Sequence, residues 1–182
     1  MKDLFKDFDT SKFKGKQPPA NKSLGTYKEV KQIAKIPMDK KFVDDKDDIA
    51  GTFNTVAKKN NITHDKKLVN QLISQSSKPI LELKKYYNRP RPKKIAEEIN
   101  VDLKPYELNS MKTPSYPSGH SAQGVMIGKL LAGKYPKAAK DFLKAGKDIS
   151  YSRNVAKAHY KSDSKFGEEI GNAMYKHIKD KV

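Results

Sequence analysis

Three arginines, Arg89, Arg91 and Arg153, stand out in a chain that otherwise carries its positive charge on thirty-five lysines. The planar guanidinium group donates two parallel hydrogen bonds to a phosphate or carboxylate, which the ammonium group of lysine cannot do. We therefore expect arginine where that paired geometry is needed to bind an anion. The alternative is that the three arginines are leftovers of lysine-biased codon usage and fall at arbitrary positions.

The first arginine-containing block runs from Lys84 to Pro92 and reads KKYYNRPRP. Lys84 and Arg91 are seven residues apart, so on a helix both would point to one face, roughly 10 Å apart along the axis. If Pro90 and Pro92 bend the chain, Arg91 can instead turn toward Lys84. Two cations that converge repel each other unless an anion lies between them, so such an arrangement would indicate an anion site. The alternative is a basic, aromatic surface strip such as a nucleic-acid patch.

The second block, YPSGHS, covers residues 116–121, where a loop is predicted to enter a helix. Backbone N–H groups at the start of a helix have no partner within it and bind anions. Gly119 allows a ligand to approach the backbone closely, and Ser118 precedes it. His120 can give or take a proton near neutral pH. The alternative is an ordinary turn and helix cap with a polar histidine.

The third block runs from Ser152 to Asp163, and it contains Arg153 and His159. His159 and Asp163 are four residues apart, within reach of each other across one helical turn. A carboxylate that accepts one imidazole N–H fixes the tautomer and leaves the other nitrogen free as a nucleophile or ligand. The alternative is a surface pair on a lysine-rich helix.

Apolar residues at helical spacing predict the elements that position these blocks, and alternating strand patterns are nearly absent. The fold class is therefore predicted as all-α, in one domain. Residues 1–26 are predicted to form an extended or loosely packed arm, and residues 27–182 the helical domain. We expect Pro79 to kink or divide a long helix that ends before Asn88. The other predicted helices begin at Tyr27, span 44–60, lie near 95–99, span 119–133, begin at Pro136, and begin near Ser162.

The charge and composition limit the classes of function. A net charge of +17 attracts anionic molecules over long range but does not identify them. Cysteine is absent, which excludes disulfides and thiolate metal sites. The first sixteen residues lack the apolar core of a signal peptide, and no apolar run approaches the roughly 20 residues that cross a bilayer. We expect a cytoplasmic protein without a transmembrane segment, and the lysine bias is typical of an AT-rich bacterial or phage genome.

Together the three blocks resemble the signature of the type 2 phosphatidic acid phosphatase superfamily, which the vanadium haloperoxidases share. That signature is K-x6-R-P, then P-S-G-H, then S-R-x5-H-x3-D. Here it reads Lys84…Arg91-Pro92, Pro117-Ser118-Gly119-His120 and Ser152-Arg153…His159…Asp163. Every typed position matches, over residues 84–163. The surrounding residues are most similar to the soluble class A bacterial acid phosphatases, so the resemblance implies a single-domain helical bundle of that type.

The resemblance also implies a role for each residue of the signature. His159 would attack phosphorus, Asp163 would hold His159 in the attacking tautomer, and His120 would protonate the leaving oxygen and then activate water. The phosphoryl oxygens would be bound by Lys84, Arg91, Ser118, Gly119 and Arg153. No metal and no cofactor are implied. Arg89 lies outside the signature, so a place at the rim of the site and a place on the surface both stay open, while His64 and His177 are expected to be structural.

The main hypothesis is a metal-independent phosphatase that acts on small phosphomonoesters. A vanadium-dependent haloperoxidase would use the same site, although such enzymes are generally much larger. A non-enzymatic module that binds polyanions through Lys84–Lys94 is the third hypothesis. The lack of apolar segments argues against an integral-membrane lipid phosphatase. The sequence predicts neither the physiological substrate nor the oligomeric state.

Overall fold

Eight α-helices make up the protein, whose computed structural model describes residues 1–182, and none of these residues lies in a β-strand. The helices are α1 (Leu24–Ala34), α2 (Lys40–Asp47), α3 (Ile49–Lys59), α4 (Lys66–Tyr87), α5 (Pro92–Glu98), α6 (Gly119–Lys134), α7 (Ala139–Val155) and α8 (Lys161–Ile178). Short 3-10 turns lie at Thr10–Phe13, Asn109–Lys112 and Pro136–Ala138. The all-α prediction is confirmed.

Capping side chains decide where several of these helices begin. In α1, α2, α3, α4 and α6 a side-chain oxygen accepts a hydrogen bond from a backbone N–H of the first turn. The residues that provide this oxygen are Ser23, Asp39, Asp48, Asp65 and Ser118. Asp48 corrects the prediction of one helix over 44–60. Its extended backbone ends α2, and its carboxylate accepts from Gly51 N at 2.9 Å to start α3.

The helix α6 lies at the centre, with buried residues on nearly all sides, and α7 and α8 pack closely against it. Glycines permit this approach. A Cβ added at Gly146 of α7 would lie 2.5 Å from the Gly124 carbonyl oxygen, and one at Gly171 of α8 would lie 2.4 Å from that of Ala122. Any larger residue at these positions would force the helices apart, and with them the ends that carry the second and third sequence blocks.

Pro79 does not divide α4, which runs without interruption through Lys66–Tyr87. Buried residues on both sides of the proline, among them Leu72 and Leu83, belong to the same core cluster. Burial of this continuous face compensates the backbone hydrogen bond that proline removes. The predicted end of the helix is correct: Asn88 adopts a left-handed conformation (φ 49°, ψ 40°) and caps α4, so the helix ends there.

Residues 1–26, which the sequence predicts as an extended or loosely packed arm, have little regular secondary structure, and several of their side chains are buried against the bundle. Leu4 and Phe5 are buried in the main core, and Phe8 and Phe13 pack against it. Thr10 Oγ1 donates to Glu82 Oε1 at 2.7 Å. The aromatic residues supply enough apolar surface to hold a segment that has little regular secondary structure.

Two smaller clusters hold the first two helices against the carboxyl-terminal part of the chain. In one, Val30 and Ile33 of α1 pack with Ile95 and Tyr160. In the other, Val43 of α2 packs with the segment that follows α7. These contacts bring Glu29 of α1 to the start of α8 and Asp47 of α2 to the end of α7.

Candidate active site

The three sequence blocks meet around one cavity of about 270 Å³. It lies between the end of α4, the start of α6 and the loop that precedes α8. Five residues of the predicted site line it, namely Lys84, Arg91, Gly119, His120 and His159, together with Ser77, Ile80, Leu81, Ser110, Thr113 and Gln123. Lys84 lies near the end of α4 and Arg91 beyond its cap, so the two residues share the cavity without lying on one helix.

His159 lies two residues before α8 and is almost fully buried. Its Nδ1 is 3.1 Å from Asp163 Oδ2, and its Nε2 is 2.9 Å from Arg91 Nη1. Burial, then the nearby positive charges of Arg91 and Lys84, holds the pKa of His159 well below its ordinary value. A neutral ring that donates Nδ1–H to the carboxylate keeps a lone pair on Nε2, at the wall of the cavity.

Asp163, in the first turn of α8, has partners on both carboxylate oxygens. Oδ2 accepts from Tyr160 N at 3.0 Å and from the Ser115 hydroxyl, in addition to His159. Oδ1 accepts from Arg89 Nη1 at 2.8 Å. Burial raises the pKa of Asp163 to about 6, and the charge of Arg89 opposes that rise. The hydrogen bonds to both oxygens hold the carboxylate in position and in orientation.

From the sequence, Arg89 could lie at the rim of the site or on the protein surface. In the structure it lies in neither place. Only 1% of its side chain is exposed, and it pairs with both Asp163 and Glu29. Its guanidinium group also lies 3.8 Å from the centre of the Tyr160 ring. The scarcity of arginine was the one sequence signal for this position, since Glu29 belongs to no recognisable pattern.

Arg91 and Lys84 bring two cations into the cavity wall. Arg91 donates to the carbonyl oxygens of Thr113 (2.8 Å), Ala158 (3.0 Å) and Ser110 (2.9 Å), and Lys84 Nζ donates to that of Pro114 at 3.0 Å. Burial and the charge of Arg91 lower the pKa of Lys84 to about 7. Burial lowers the pKa of Arg91 to about 10. Both positive charges would be stabilised by an anion in the cavity.

His120, the second residue of α6, contacts a residue that the sequence did not single out. Its Nε2 lies 2.9 Å from the backbone oxygen and 3.4 Å from Oδ1 of Asp47, at the end of α2. Arg153 Nη1 donates to the same Oδ1 at 3.0 Å, while Arg153 Nη2 is buried without a partner. The hydrogen bond from His120, then the charge of Arg153, lowers the pKa of Asp47. Asp47 belongs to none of the three sequence blocks, so sequence reasoning missed it.

Ser118 and Gly119 occupy different places. Ser118 is fully buried, and its hydroxyl oxygen caps α6 by accepting from Ser121 N (3.2 Å) and from Ser121 Oγ (2.8 Å). It does not line the cavity, whereas Gly119 does. A Cβ added at Gly119 would lie 3.6 Å from Ile80 Cγ2 and 3.8 Å from Lys84 Cε, which are ordinary contact distances.

The fold and the site define a class of all-helical proteins in which a His–Asp pair faces a cationic cavity. The chain belongs to the PAP2 superfamily, whose sequence model matches residues 68–178, more than half of the chain. This confirms the resemblance drawn from the three blocks. The chain is also similar to two non-specific acid phosphatases, from Salmonella typhimurium and Salmonella typhi. They are 34% and 33% identical to it over 89 residues.

Each of these alignments covers 48% of this chain but only 35% of the relative, so the match spans about a third of the curated proteins' length. None of the eight helices combines the length and apolar content that crossing a membrane requires. No three His, Asp or Glu side chains come together in a way that would hold a metal ion.

Proposed function

We propose that this protein is a phosphatase that hydrolyses small phosphomonoesters through a phosphohistidine on His159, without a metal ion. The observation that supports this most is the His159–Asp163 pair, with Nε2 of His159 at the wall of a cavity that also holds Lys84 and Arg91. Phosphoryl transfer depends mainly on positioning and on neutralising charge. A buried neutral imidazole supplies the nucleophile, and the surrounding cations supply the charge.

The proposed reaction has two steps. In the first, Nε2 of His159 attacks phosphorus, the bond to the ester oxygen breaks, and His120 gives its proton to that oxygen. In the second, His120 takes a proton from water, the water oxygen attacks phosphorus, and the P–N bond breaks to release inorganic phosphate. Asp163 stabilises the charge that His159 carries while it is phosphorylated.

Binding of the phosphate requires some hydrogen bonds at the cavity wall to be exchanged. Arg91 Nη1 donates to the attacking nitrogen itself, at 2.9 Å. A phosphoryl oxygen would take over this donor and release the lone pair of His159. Arg153 does not line the cavity, in contrast to Lys84 and Arg91, but its buried Nη2 has no partner. A small movement of this side chain would let Nη2 donate to a second phosphoryl oxygen. Ser118 and Gly119 would contribute as the family signature implies, Gly119 through its backbone N–H.

The substrate class follows from charge and from the cavity. The net charge of +17 steers anions toward the protein. A cavity of about 270 Å³ fits a phosphoryl group and a small leaving group. A cytoplasmic location stays a prediction from the sequence.

The test is hydrolysis of an aryl phosphate by the wild type and by His159→Ala, with His177→Ala as the matched control. His177 stacks on Phe5, far along α8 from the cavity. We expect His159→Ala to be inactive and His177→Ala to retain activity. Undiminished hydrolysis by His159→Ala would refute the nucleophile.

Three additions test the finer parts of the proposal. Brief reaction with labelled substrate should leave an acid-labile, alkali-stable phosphoryl group on the wild type and none on His159→Ala. Excess chelator should leave the rate unchanged, and a loss that metal restores would contradict metal independence. Vanadate should inhibit hydrolysis, whereas bromide oxidation with vanadate and peroxide would favour a haloperoxidase.

A further inference from the structure

We propose that Arg89 is a positioning residue, which holds Asp163 ionised and oriented so that His159 keeps its attacking nitrogen free. The proposal rests on the proposed function for its effect on rate. Its effect on the tautomer of His159 can be measured whether or not the protein is a phosphatase. Arg89 lies outside the cavity lining, so it acts through Asp163 and not by touching substrate.

The contacts of Asp163 divide between its two oxygens. Oδ2 faces His159, Tyr160 N and Ser115, while Oδ1 is held by Arg89 Nη1 at 2.8 Å. Arg89 is the one arginine or lysine that pairs directly with this carboxylate. A carboxylate with no exposed surface needs such a partner to stay charged.

Arg89 is itself held from several sides. Nη2 pairs with Glu29 Oε2 at 3.2 Å, and Nη1 also donates to Ser162 Oγ at 2.8 Å. Glu29 in turn accepts from Ser162 N at 2.7 Å, at the start of α8. The guanidinium carbon also lies 3.8 Å from the centre of the Tyr160 ring, just before α8. A fork that bridges two carboxylates is the geometry that arginine provides and lysine does not.

Other charged and titratable groups also act on Asp163, so the role of Arg89 has to be separated from theirs. Burial raises the pKa of Asp163, and among the effects that lower it the charge of Arg89 is the largest. The groups that face the carboxylate are Arg89 and Lys84, His159, the phenols of Tyr116 and Tyr160, the more distant Arg91, and Glu29 through Arg89.

Loss of Arg89 should therefore favour a neutral Asp163. A protonated carboxyl group donates to Nδ1 of His159 and drives the ring to the tautomer with hydrogen on Nε2. That tautomer has no lone pair facing the cavity. Activity should then require a higher pH, at which Asp163 is again ionised, while substrate binding stays close to that of the wild type.

The experiment compares Arg89→Met and Arg89→Lys with the wild type and with Ile178→Ala. Ile178, in the last turn of α8, is fully buried in the main core, so Ile178→Ala serves as a control for lost stability alone. For Arg89→Met we expect kcat to fall about 10- to 100-fold with KM little changed. The acid limb of kcat should move up by about 1 to 3 pH units. Arg89→Lys should bring the acid limb of kcat most of the way back to its wild-type pH, and it should restore only part of the value of kcat.

Nitrogen NMR of the His159 ring supplies the readout that does not depend on activity. We expect hydrogen on Nδ1 in the wild type and in Ile178→Ala, and a shift toward Nε2–H in Arg89→Met at the same pH. If Arg89→Met does not fold, Arg89→Lys is used for the test. Its acid limb should lie close to the wild-type pH while its kcat stays lower than that of the wild type. A variant that loses only thermal stability, with the wild-type tautomer and pH limb, overturns the proposal. An inactive wild type with the expected tautomers would refute the phosphatase and leave this role of Arg89 standing.

Discussion

The two histidines of the site lie in contrasting surroundings. The side chain of His159 is 5% exposed and pairs with a carboxylate that is 0% exposed. The side chain of His120 is 19% exposed, and the carboxylate near it, on Asp47, is 43% exposed. A nucleophile must keep one tautomer, which an enclosed and fully paired partner ensures. A group that exchanges protons with a leaving group and with water needs contact with solvent.

The two carboxylates are tuned in opposite directions. Burial raises the pKa of Asp163, whereas hydrogen bonding with His120 and the charge of Arg153 lower that of Asp47. Asp163 keeps its charge only through neighbours that are themselves buried, while Asp47 keeps its charge with the help of solvent. We therefore expect substitutions on the His159 side to have larger effects than those on the His120 side.

The largest effect is expected for Asp163→Asn. An amide cannot stabilise the phosphorylated imidazole, and it leaves Arg89 buried beside Glu29 alone. We predict a loss of kcat on the order of 10⁴-fold, by analogy with other His-orienting carboxylates. Steady-state kinetics with an aryl phosphate measures it, with thermal unfolding as the control for folding. If the folded variant loses less than tenfold in kcat, the proposed contrast between the His159 side and the His120 side of the site is wrong.

The next effect is expected for His120→Ala, and it should depend on the leaving group. We predict a loss of kcat of about 10² to 10⁴-fold for an alkyl phosphate, whose leaving oxygen needs a proton. The loss in the first step should be much smaller for an aryl phosphate with an acidic phenol. A series of esters with leaving groups of graded acidity measures this. An equal loss across the series would exclude His120 as the proton donor.

The pH dependence of kcat/KM should report the titration of two groups of the site, Asp163 and Lys84. Asp163, with a pKa of about 6, must be ionised, so activity falls as pH decreases through 6. Lys84, with a pKa of about 7, must be protonated to bind an anion, so activity falls as pH rises through 7. A maximum between these values is expected. Since bound phosphate raises the pKa of Lys84, the alkaline limb of kcat should lie at higher pH, and coincident limbs would contradict this.

The smallest effect is expected for Asp47→Asn. Under the proposed function, the carboxylate of Asp47 would compete with phosphate for Arg153. This carboxylate is partly exposed, so its pair with Arg153 is weak. We predict a roughly two- to fivefold lower inhibition constant for inorganic phosphate. Competition assays at fixed pH measure it. Weaker phosphate binding in the variant would show that Asp47 organises the cavity and does not compete for it.

Much of the fold could be predicted because its signals are local. Apolar spacing and the stop at Asn88 placed most helix ends within a few residues of their positions in the structure. The predicted elements differ from the structure where capping or tertiary packing overrides the local sequence pattern. Asp48 caps a new helix within 44–60, and α4 is not divided at Pro79, which was one of the two outcomes predicted there. Residues 1–26 lack periodicity, yet their aromatic side chains find a surface on which to pack.

For the site, the sequence by itself determined which residue types could do chemistry, since Lys84, Arg91, His120 and His159 fall in short blocks with fixed spacing. Only the tertiary structure decided what acts on them. Glu29 and Asp47 reach the site from α1 and α2, and the burial that tunes Asp163 exists only in the folded helical bundle. The physical reason is that spacing along a chain fixes local geometry, whereas solvent exclusion and charge pairing depend on which distant segments come into contact.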